Sequence, residues 1–327
     1  MNYGLPYQGS KNRIAKRLVD ALPPAPVLYD VFCGGCAVTH AAMLSGKYQR
    51  FVINDRRGWL PDAFQKAIHG GYAHEDRGIS REDFKRLKST DAYAALCFSF
   101  GNNCQSYMYA RSLEPYKRAL HYAIFWRDFA PWRELCPETA DARASSLAPI
   151  EDRKQRRIQA GHFIVESLKQ QLSAGTLAPD ILDKPIYRQI RRPKHASESL
   201  QSLECLERLQ SLESLESLER LERLERLQSL PDTLTAHSSD YRELCFDEPG
   251  IIYCDPPYKS TEGYGREFDF NGFYSWCLHQ SNPVFISEYT MAEDRFVPVA
   301  SFTVTRKMNT KKSSICHEKI WRPRIQL

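Results

Sequence analysis

The segment Ile251-Ile252-Tyr253-Cys254-Asp255-Pro256-Pro257-Tyr258 constrains this 327-residue chain more than any other. Four apolar, strand-favouring residues halted by an acid and two prolines read as a buried strand that runs into a rigid loop. That loop offers a carboxylate, a backbone carbonyl beside a residue with no N–H, and an aromatic ring. Such a set can hold a planar amino group, with acceptors for its two hydrogens and a face on which its heterocycle stacks. Taken alone, the four residues are as well read as a proline turn with a surface tyrosine.

A second strand candidate, Val27 to Phe32, is followed by Cys33-Gly34-Gly35-Cys36 and then by a helix-compatible run from Ala37 to Leu44. Strand, small-residue turn and helix is the arrangement that lets backbone approach a nucleotide-like ligand. About twenty residues on, Phe51-Val52-Ile53 ends in Asn54-Asp55. An acid at that place suits the two ribose hydroxyls of an adenosine-containing cofactor.

In these motifs and their order the chain resembles the Dam-type (D12 class) N6-adenine DNA methyltransferases. Tyr7-Gln8-Gly9-Ser10-Lys11 looks like the family's N-terminal cofactor motif, and Asp30 to Cys36 like its D-x-F-x-G-x-G loop. Asn54-Asp55 matches its ribose-binding pair, and Tyr253 to Tyr258 its catalytic Y-C-D-P-P-Y. Cofactor motif first and catalytic motif last, around a long central insert, is the family's α arrangement. One departure stands out: Cys36 occupies the place of the loop's last glycine, where a side chain is expected to crowd the cofactor or to be absorbed by a backbone shift.

The resemblance implies an α/β fold, a Rossmann-like class I methyltransferase sheet with an inserted, mostly helical target-recognition domain. It places the cofactor half of the sheet at 1–58, target recognition at 59–195, a leucine triplet-repeat insert at 196–231 and the catalytic half at 232–327. Strand candidates at 283–289, 301–308 and 315–323 complete the sheet, with the last two expected to pair antiparallel at one edge. It further implies S-adenosylmethionine as cofactor, double-stranded DNA as partner, and methyl transfer to a flipped adenine. Asp255, Pro256, Pro257 and Tyr258 would be catalytic. Tyr7, Lys11, Asp30, Phe32, Gly34, Asp55, Asp240 and Asp255 would line or hold the cofactor. Tyr264 and Phe268, just past the catalytic loop, are expected to wedge or clamp DNA.

Composition fits this picture. No apolar run approaches the roughly 18 residues of a membrane span, and the start lacks the pattern of a signal peptide. The ten cysteines are scattered without paired spacing and read as free thiols in a reducing cytosol. Cys33 and Cys36 have no second pair or histidine couple to complete a metal site, so none is expected. No Pro-Cys pair occurs, which argues against cytosine-C5 chemistry with its cysteine nucleophile.

Charge is concentrated. From Ala148 to Ala196 ten basic side chains face five acidic ones, an excess equal to the whole formal net charge of +5. The clusters Arg153 to Arg157 and Arg188 to Lys194 suit phosphate contacts, unless they form a solvated helical face. The segment Cys97 to Asn103, with Tyr107-Met108-Tyr109, sets amides and aromatics on a turn and suits either displaced DNA or a core.

From Leu200 to Leu230 leucine recurs at every third position. A strict triplet drifts about 60° backward per step on an α-helix, so a helix should expose leucines all round. A 3₁₀ spiral, a β-solenoid winding or an unsettled low-complexity insert are the other readings, with a spacer or a self-association element as its role. Three rival functions remain open from the residues: an RNA adenine methyltransferase, a protein-amide methyltransferase, which ordinarily carries Asn where Asp255 stands, and a DNA-binding relative with impaired catalysis.

Overall fold

Short runs of buried aliphatic and aromatic residues build a seven-stranded sheet in the computed structural model. The structure describes residues 2–111, 113–173, 215–257, 268–291, 294–309 and 312–324. Tyr258, Tyr264, the basic run 188–194 and the leucines of 200–214 lie outside the described residues. The strands are β1 (Val27–Asp30), β2 (Arg50–Asn54), β3 (Leu234–His237), β4 (Gly250–Cys254), β5 (Val284–Glu288), β6 (Phe296–Asn309) and β7 (Lys312–Pro323), in spatial order β3-β2-β1-β4-β5-β7-β6.

The first five strands pair in parallel, and β7 runs antiparallel between β5 and β6. The central strands are buried along their whole length, as a parallel sheet covered on both faces requires. The β6–β7 hairpin closes the edge, and Pro298 sits at a register shift on β6, where a missing N–H costs no ladder bond. This is a mixed α/β sheet consistent with a methyltransferase fold. The expected antiparallel pairing of the last two strands is present; β3 had no sequence candidate.

The chain divides into two compact units, one of Met1–Ala73 with Glu222–Leu327 and one of His74–Leu221. The first holds the sheet and the helices α1 (Ala15–Ala21), α2 (Ala37–Met43) and α3 (Trp59–Ile68). The second is built from α4 (Arg81–Leu87), α5 (Ala92–Cys97), α6 (Glu114–Phe125), α7 (Ala130–Leu135), α8 (Pro137–Leu147) and α9 (Arg153–Ser173). Its short helices start on side-chain caps: Ser80 accepts from the Asp83 amide, and Asp91 from those of Tyr93 and Ala94. Each such cap contributes about 1 kcal/mol.

The basic cluster at the start of α9 differs from its sequence reading. Arg156 is 7% exposed, and its guanidinium donates to the carbonyls of Ile124 (2.9 Å), Ile150 (2.7 Å) and Glu151 (2.8 Å). Arg157 pairs with Glu219 at 2.9 Å, and Arg153 lies over the Phe125 ring. Arg156 therefore ties three chain segments together instead of facing phosphate. Arg156→Ala should lower the stability of this unit by about 2–4 kcal/mol, since it strands several carbonyls at once. A urea unfolding curve checks this; an unchanged midpoint with a weaker salt dependence of DNA binding would restore the phosphate role.

The leucine tract is helical where it is described. Helix α10 (Glu216–Glu225) passes into a 3₁₀ turn at Arg226–Ser229. Leu215, Leu218, Leu221, Leu224, Leu227 and Leu230 are all at most 6% exposed, contrary to the expectation of leucines all round. The helix is too short for the drift to accumulate: Leu218 to Leu224 spans about 120°, close to the width of an ordinary apolar stripe. Beyond it the 3₁₀ turn, where i and i+3 eclipse, keeps Leu227 and Leu230 in line. Arginines of the repeat are also used: Arg220 donates to the carbonyls of Leu96 and Ser99, and Arg223 to those of Tyr3 and Gly4.

Against β4 and β5 packs α11 (Phe270–Leu278), whose Phe273 and Cys277 are wholly buried with Ile252, Cys254, Val284 and Ile286. Each large apolar side chain buried there stabilises the sheet by roughly 1.5–3 kcal/mol.

Candidate active site

Strand order reverses between β1 and β4, and in open α/β sheets the crevice at the carboxyl ends of such a pair is where ligands bind. Asp30 closes β1 in register with Tyr253, and Asp255 follows β4 directly. Two strand ends 225 positions apart in sequence, at Asp30 and Asp255, thus deliver their acids to one crevice.

The N-terminal loop docks on the glycine turn. The Leu5 amide donates to the Gly35 carbonyl at 2.7 Å, and the Gly4 amide to Nδ1 of His40 at 2.9 Å. Gly4 has φ +67°, and a Cβ there would stand 2.2 Å from the Gly35 carbonyl oxygen, so only glycine permits the approach. Burial, with Arg223 and Arg226 nearby, pushes His40 down to about 4 and keeps it a neutral acceptor. The Tyr7 ring lies over Gly34 (φ +47°), and its hydroxyl is bonded to the Arg57 guanidinium.

Asp55 follows β2 and is held by two amides, Gly34 to Oδ2 (2.9 Å) and Arg57 to Oδ1 (2.8 Å). Burial raises its pKa, and the two amides oppose that. Its neighbour Asn54 is 2% exposed and fastens the strand end instead, donating to the Val31 and Ser239 carbonyls and accepting from the Ser239 amide. The glycine turn and Asp55 are therefore one hydrogen-bonded unit.

Cys36 adopts φ 55°, ψ 33°, the left-handed region, and is fully buried. The thiol does not crowd an open pocket. It is absorbed by the turn, at a conformational cost of about 1–2 kcal/mol that a glycine would not incur.

Lys11 stands at the centre. Its ammonium is 3.0 Å from Asp255 Oδ1 and 3.2 Å from Glu318 Oε1, and its side chain is 9% exposed. Burial works against its charge, but Asp255 and Glu318 outweigh that and leave its pKa raised. Asp30 is 2% exposed and accepts from the Thr39 hydroxyl at 2.5 Å. Burial pushes its pKa up to about 7, against the Thr39 bond and with help from Asp255 and Asp55. Glu288, at the end of β5, is likewise pushed up to about 7, first by burial and then by Asp255 and Glu318. Tyr253 donates to Ser287 Oγ at 3.0 Å beneath the cluster.

Pro256 is buried and Pro257 half-buried beside Asp255. Phe32 forms a wall with its ring 5.4 Å from Tyr241 and 5.6 Å from Phe273. Phe268 packs into this same aromatic group, 5.5 Å from Phe273 and 4.9 Å from Phe270, and lies half-buried against the core. Asp240 caps the turn Tyr241–Glu243 and is paired with Arg242, which holds its pKa down to about 2. In the second unit, Phe98, Met108 and Tyr109 are buried, whereas Phe100 is 52% exposed on a turn whose Gly101, Asn102 and Cys104 all have positive φ.

Sequence reasoning missed Thr39, Glu288 and Glu318. A signal existed for Glu318: it alternates with Ile320 in a strand, which puts a carboxylate on a buried face.

Two buried oxygens test whether a cofactor fits. Asp30 Oδ1 and Ser10 Oγ have no hydrogen-bond partner among the described residues. An unsatisfied buried carboxylate oxygen costs free energy that a donor on a ligand recovers. A molecule bearing an ammonium and hydroxyls, as S-adenosylmethionine does, has the donors these acceptors need. No group of His, Cys, Asp and Glu able to hold a metal ion occurs among the described residues, and no described helix is long and apolar enough to cross a membrane.

Comparison with known proteins agrees with this geometry. No curated protein matches the chain. The model of the D12 class N6 adenine-specific DNA methyltransferase family matches residues 7–124, a stretch that takes in Tyr7, Lys11, the glycine turn and Asp55 and stops short of Asp255. Over residues 7–124 the chain is similar to the D12 class N6 adenine-specific DNA methyltransferases.

Proposed function

We propose that the protein transfers a methyl group from S-adenosylmethionine to the N6 amino group of an adenine flipped out of a specific double-stranded DNA sequence. The observation that carries this reading is the 3.0 Å contact between Lys11 and Asp255, which joins the N-terminal loop to the D-P-P segment at the β1/β4 crevice. Tyr7, Gly34, Phe32 and Asp30 line one side of the crevice in this reading. Asp55 takes the ribose hydroxyls with the lone pairs its two amides leave free. Asp240, turned toward Arg242, borders the adenine of the cofactor at most from the rim.

When bound, the cofactor supplies a methyl group on a sulfonium. The chain supplies acceptors. The N6 lone pair of adenine is delocalised into the ring, so the amine is a poor nucleophile. Asp255 and the Pro256 carbonyl accept its two hydrogens, which favours a tetrahedral nitrogen with its lone pair directed at the methyl carbon. Tyr258 stacks on the extruded base. Direct displacement needs no covalent enzyme intermediate.

The test is methyl incorporation from labelled cofactor into duplex DNA and, in parallel, structured RNA, with the modified nucleoside identified after digestion. N6-methyladenine in the duplex is expected. Label confined to RNA, or none in either, would overturn the reading.

A further inference from the structure

The leucine tract has no part in the chemistry proposed above, yet one of its side chains grips the segment that leads to Tyr7 and Lys11. Residues 218–226 are three successive Leu-Glu-Arg triplets whose leucines are buried. Their arginines meet different surroundings. Arg220 donates to the Leu96 and Ser99 carbonyls, Arg223 to those of Tyr3 and Gly4, and Arg226 is exposed. From Glu222 onward the tract belongs to the same compact unit as the sheet.

Arg223 closes a clamp on the backbone of Tyr3, Gly4 and Leu5. Its Nε donates to the Gly4 carbonyl at 2.7 Å and its Nη2 to the Tyr3 carbonyl. From the other side the Gly4 amide donates to His40 Nδ1 at 2.9 Å and the Leu5 amide to the Gly35 carbonyl at 2.7 Å. These residues lie outside helix and sheet, and Gly4 and Leu5 are buried, so their polar groups need partners from elsewhere. A guanidinium is suited to this, because its donors are fixed in one plane and its charge strengthens each bond. The clamp stands just ahead of Tyr7, whose ring covers Gly34, and of Lys11, whose ammonium meets Asp255. With Arg223 gone, only the amide side of the segment stays fastened.

We infer that Arg223 is a positioning residue for cofactor binding: the leucine tract, through this guanidinium, holds the Tyr3–Leu5 backbone against the glycine turn and so sets where Tyr7 and Lys11 stand. This rests on the reading of Tyr7 and Lys11 as cofactor contacts. The effect of Arg223 runs through the N-terminal loop, so it belongs to cofactor affinity and not to the chemical step.

The experiment is calorimetric titration of the full chain with S-adenosylmethionine, beside single-turnover methylation of duplex DNA over a range of cofactor concentrations. Arg223→Met should weaken cofactor binding about tenfold, while the rate at saturating cofactor stays within about twofold of the wild type. Arg223→Lys, with a point charge in place of the fork, should fall between the two. Arg226→Met, the same change one triplet on, should bind as the wild type does. A merely structural Arg223 would instead lower the number of binding sites per chain and leave the affinity of the folded fraction unchanged. That result, wild-type affinity in Arg223→Met, or an equal loss in Arg226→Met overturns the inference. Should Arg223→Met fail to fold, Arg223→Lys decides: weaker binding at full stoichiometry supports it, and wild-type affinity refutes it. Tyr7→Ala and Lys11→Met proteins that both bind cofactor as the wild type does refute the underlying reading. If those two bind weakly and Arg223→Met is indifferent, this inference alone fails.

Discussion

Asp255→Ala should reduce methyl transfer by roughly 10²–10⁴-fold while cofactor affinity changes far less, the range expected when one positioned proton acceptor is removed from a transition state. In the proposed reaction the acid would contribute to the chemical step, because the amine must give up planarity and acceptors for both its hydrogens strengthen as it does so. Pro256 supplies its carbonyl whatever stands at 255, so the loss is large but finite. Asp255→Asn keeps an oxygen of the same reach but removes the charge, and its rate should fall between those of the wild type and the alanine variant.

Cofactor binding separates this role from a structural one. Lys11 keeps Glu318 as a partner at 3.2 Å when Asp255 is truncated, so the N-terminal loop should stay docked. Its other attachments, Leu5 to Gly35 and Gly4 to His40, do not involve residue 255. Calorimetric titration with the cofactor, beside single-turnover rates on duplex DNA, makes the comparison. An alanine variant that methylates at the wild-type rate, or whose loss is fully explained by failure to bind cofactor, would remove Asp255 from the chemistry.

What the sequence made legible follows the range of the physics involved. The strands β1, β2, β4 and β5 are short apolar runs with sharp ends, and their boundaries fall within a residue or two of where pattern puts them. The acids at those ends, Asp30, Asp55 and Asp255, were visible because strand ends in parallel sheets point at the crevice. Contacts between segments far apart in sequence were not visible. Nothing local distinguishes Arg156, which satisfies three carbonyls, from the solvated Lys154 two residues earlier. Nor could a single chain tell that Glu318 meets Lys11. The leucine tract misled for a different reason: periodicity argues about long helices, and the described helix ends before the triplet drift turns a leucine outward.

Cofactor affinity should rise with pH, and the stability of the free protein should fall, through the same interval. Asp30 is the group responsible: burial raises its carboxyl to about 7, with Asp255 and Asp55 adding to the shift and the Thr39 hydroxyl opposing it. In the unfolded chain an aspartate titrates near 3.9. Between those values the folded protein holds a proton that the unfolded chain has lost, so the stabilisation is complete below about pH 4 and is lost as pH rises to about 7. For this one group the slope reaches about 1.4 kcal/mol per pH unit. Glu288, also raised to about 7, contributes with the same sign. Binding a cationic ligand reverses the preference at Asp30, because the ionised form is the one that accepts from an ammonium. Below about pH 7 the apparent affinity should therefore fall by up to about tenfold per pH unit. Asp30→Asn isolates the residue. It retains an oxygen for Thr39, so it should be more stable than the wild type at about pH 8, bind cofactor more weakly, and lose its share of both pH slopes. Urea midpoints and calorimetric titrations from about pH 5.5 to about pH 8 measure the two slopes on one sample series. An Asp30→Asn protein less stable than the wild type at the alkaline end, or a wild-type affinity indifferent to pH, would show that Asp30 is already ionised in the free crevice and that its buried oxygen is satisfied by something other than the cofactor.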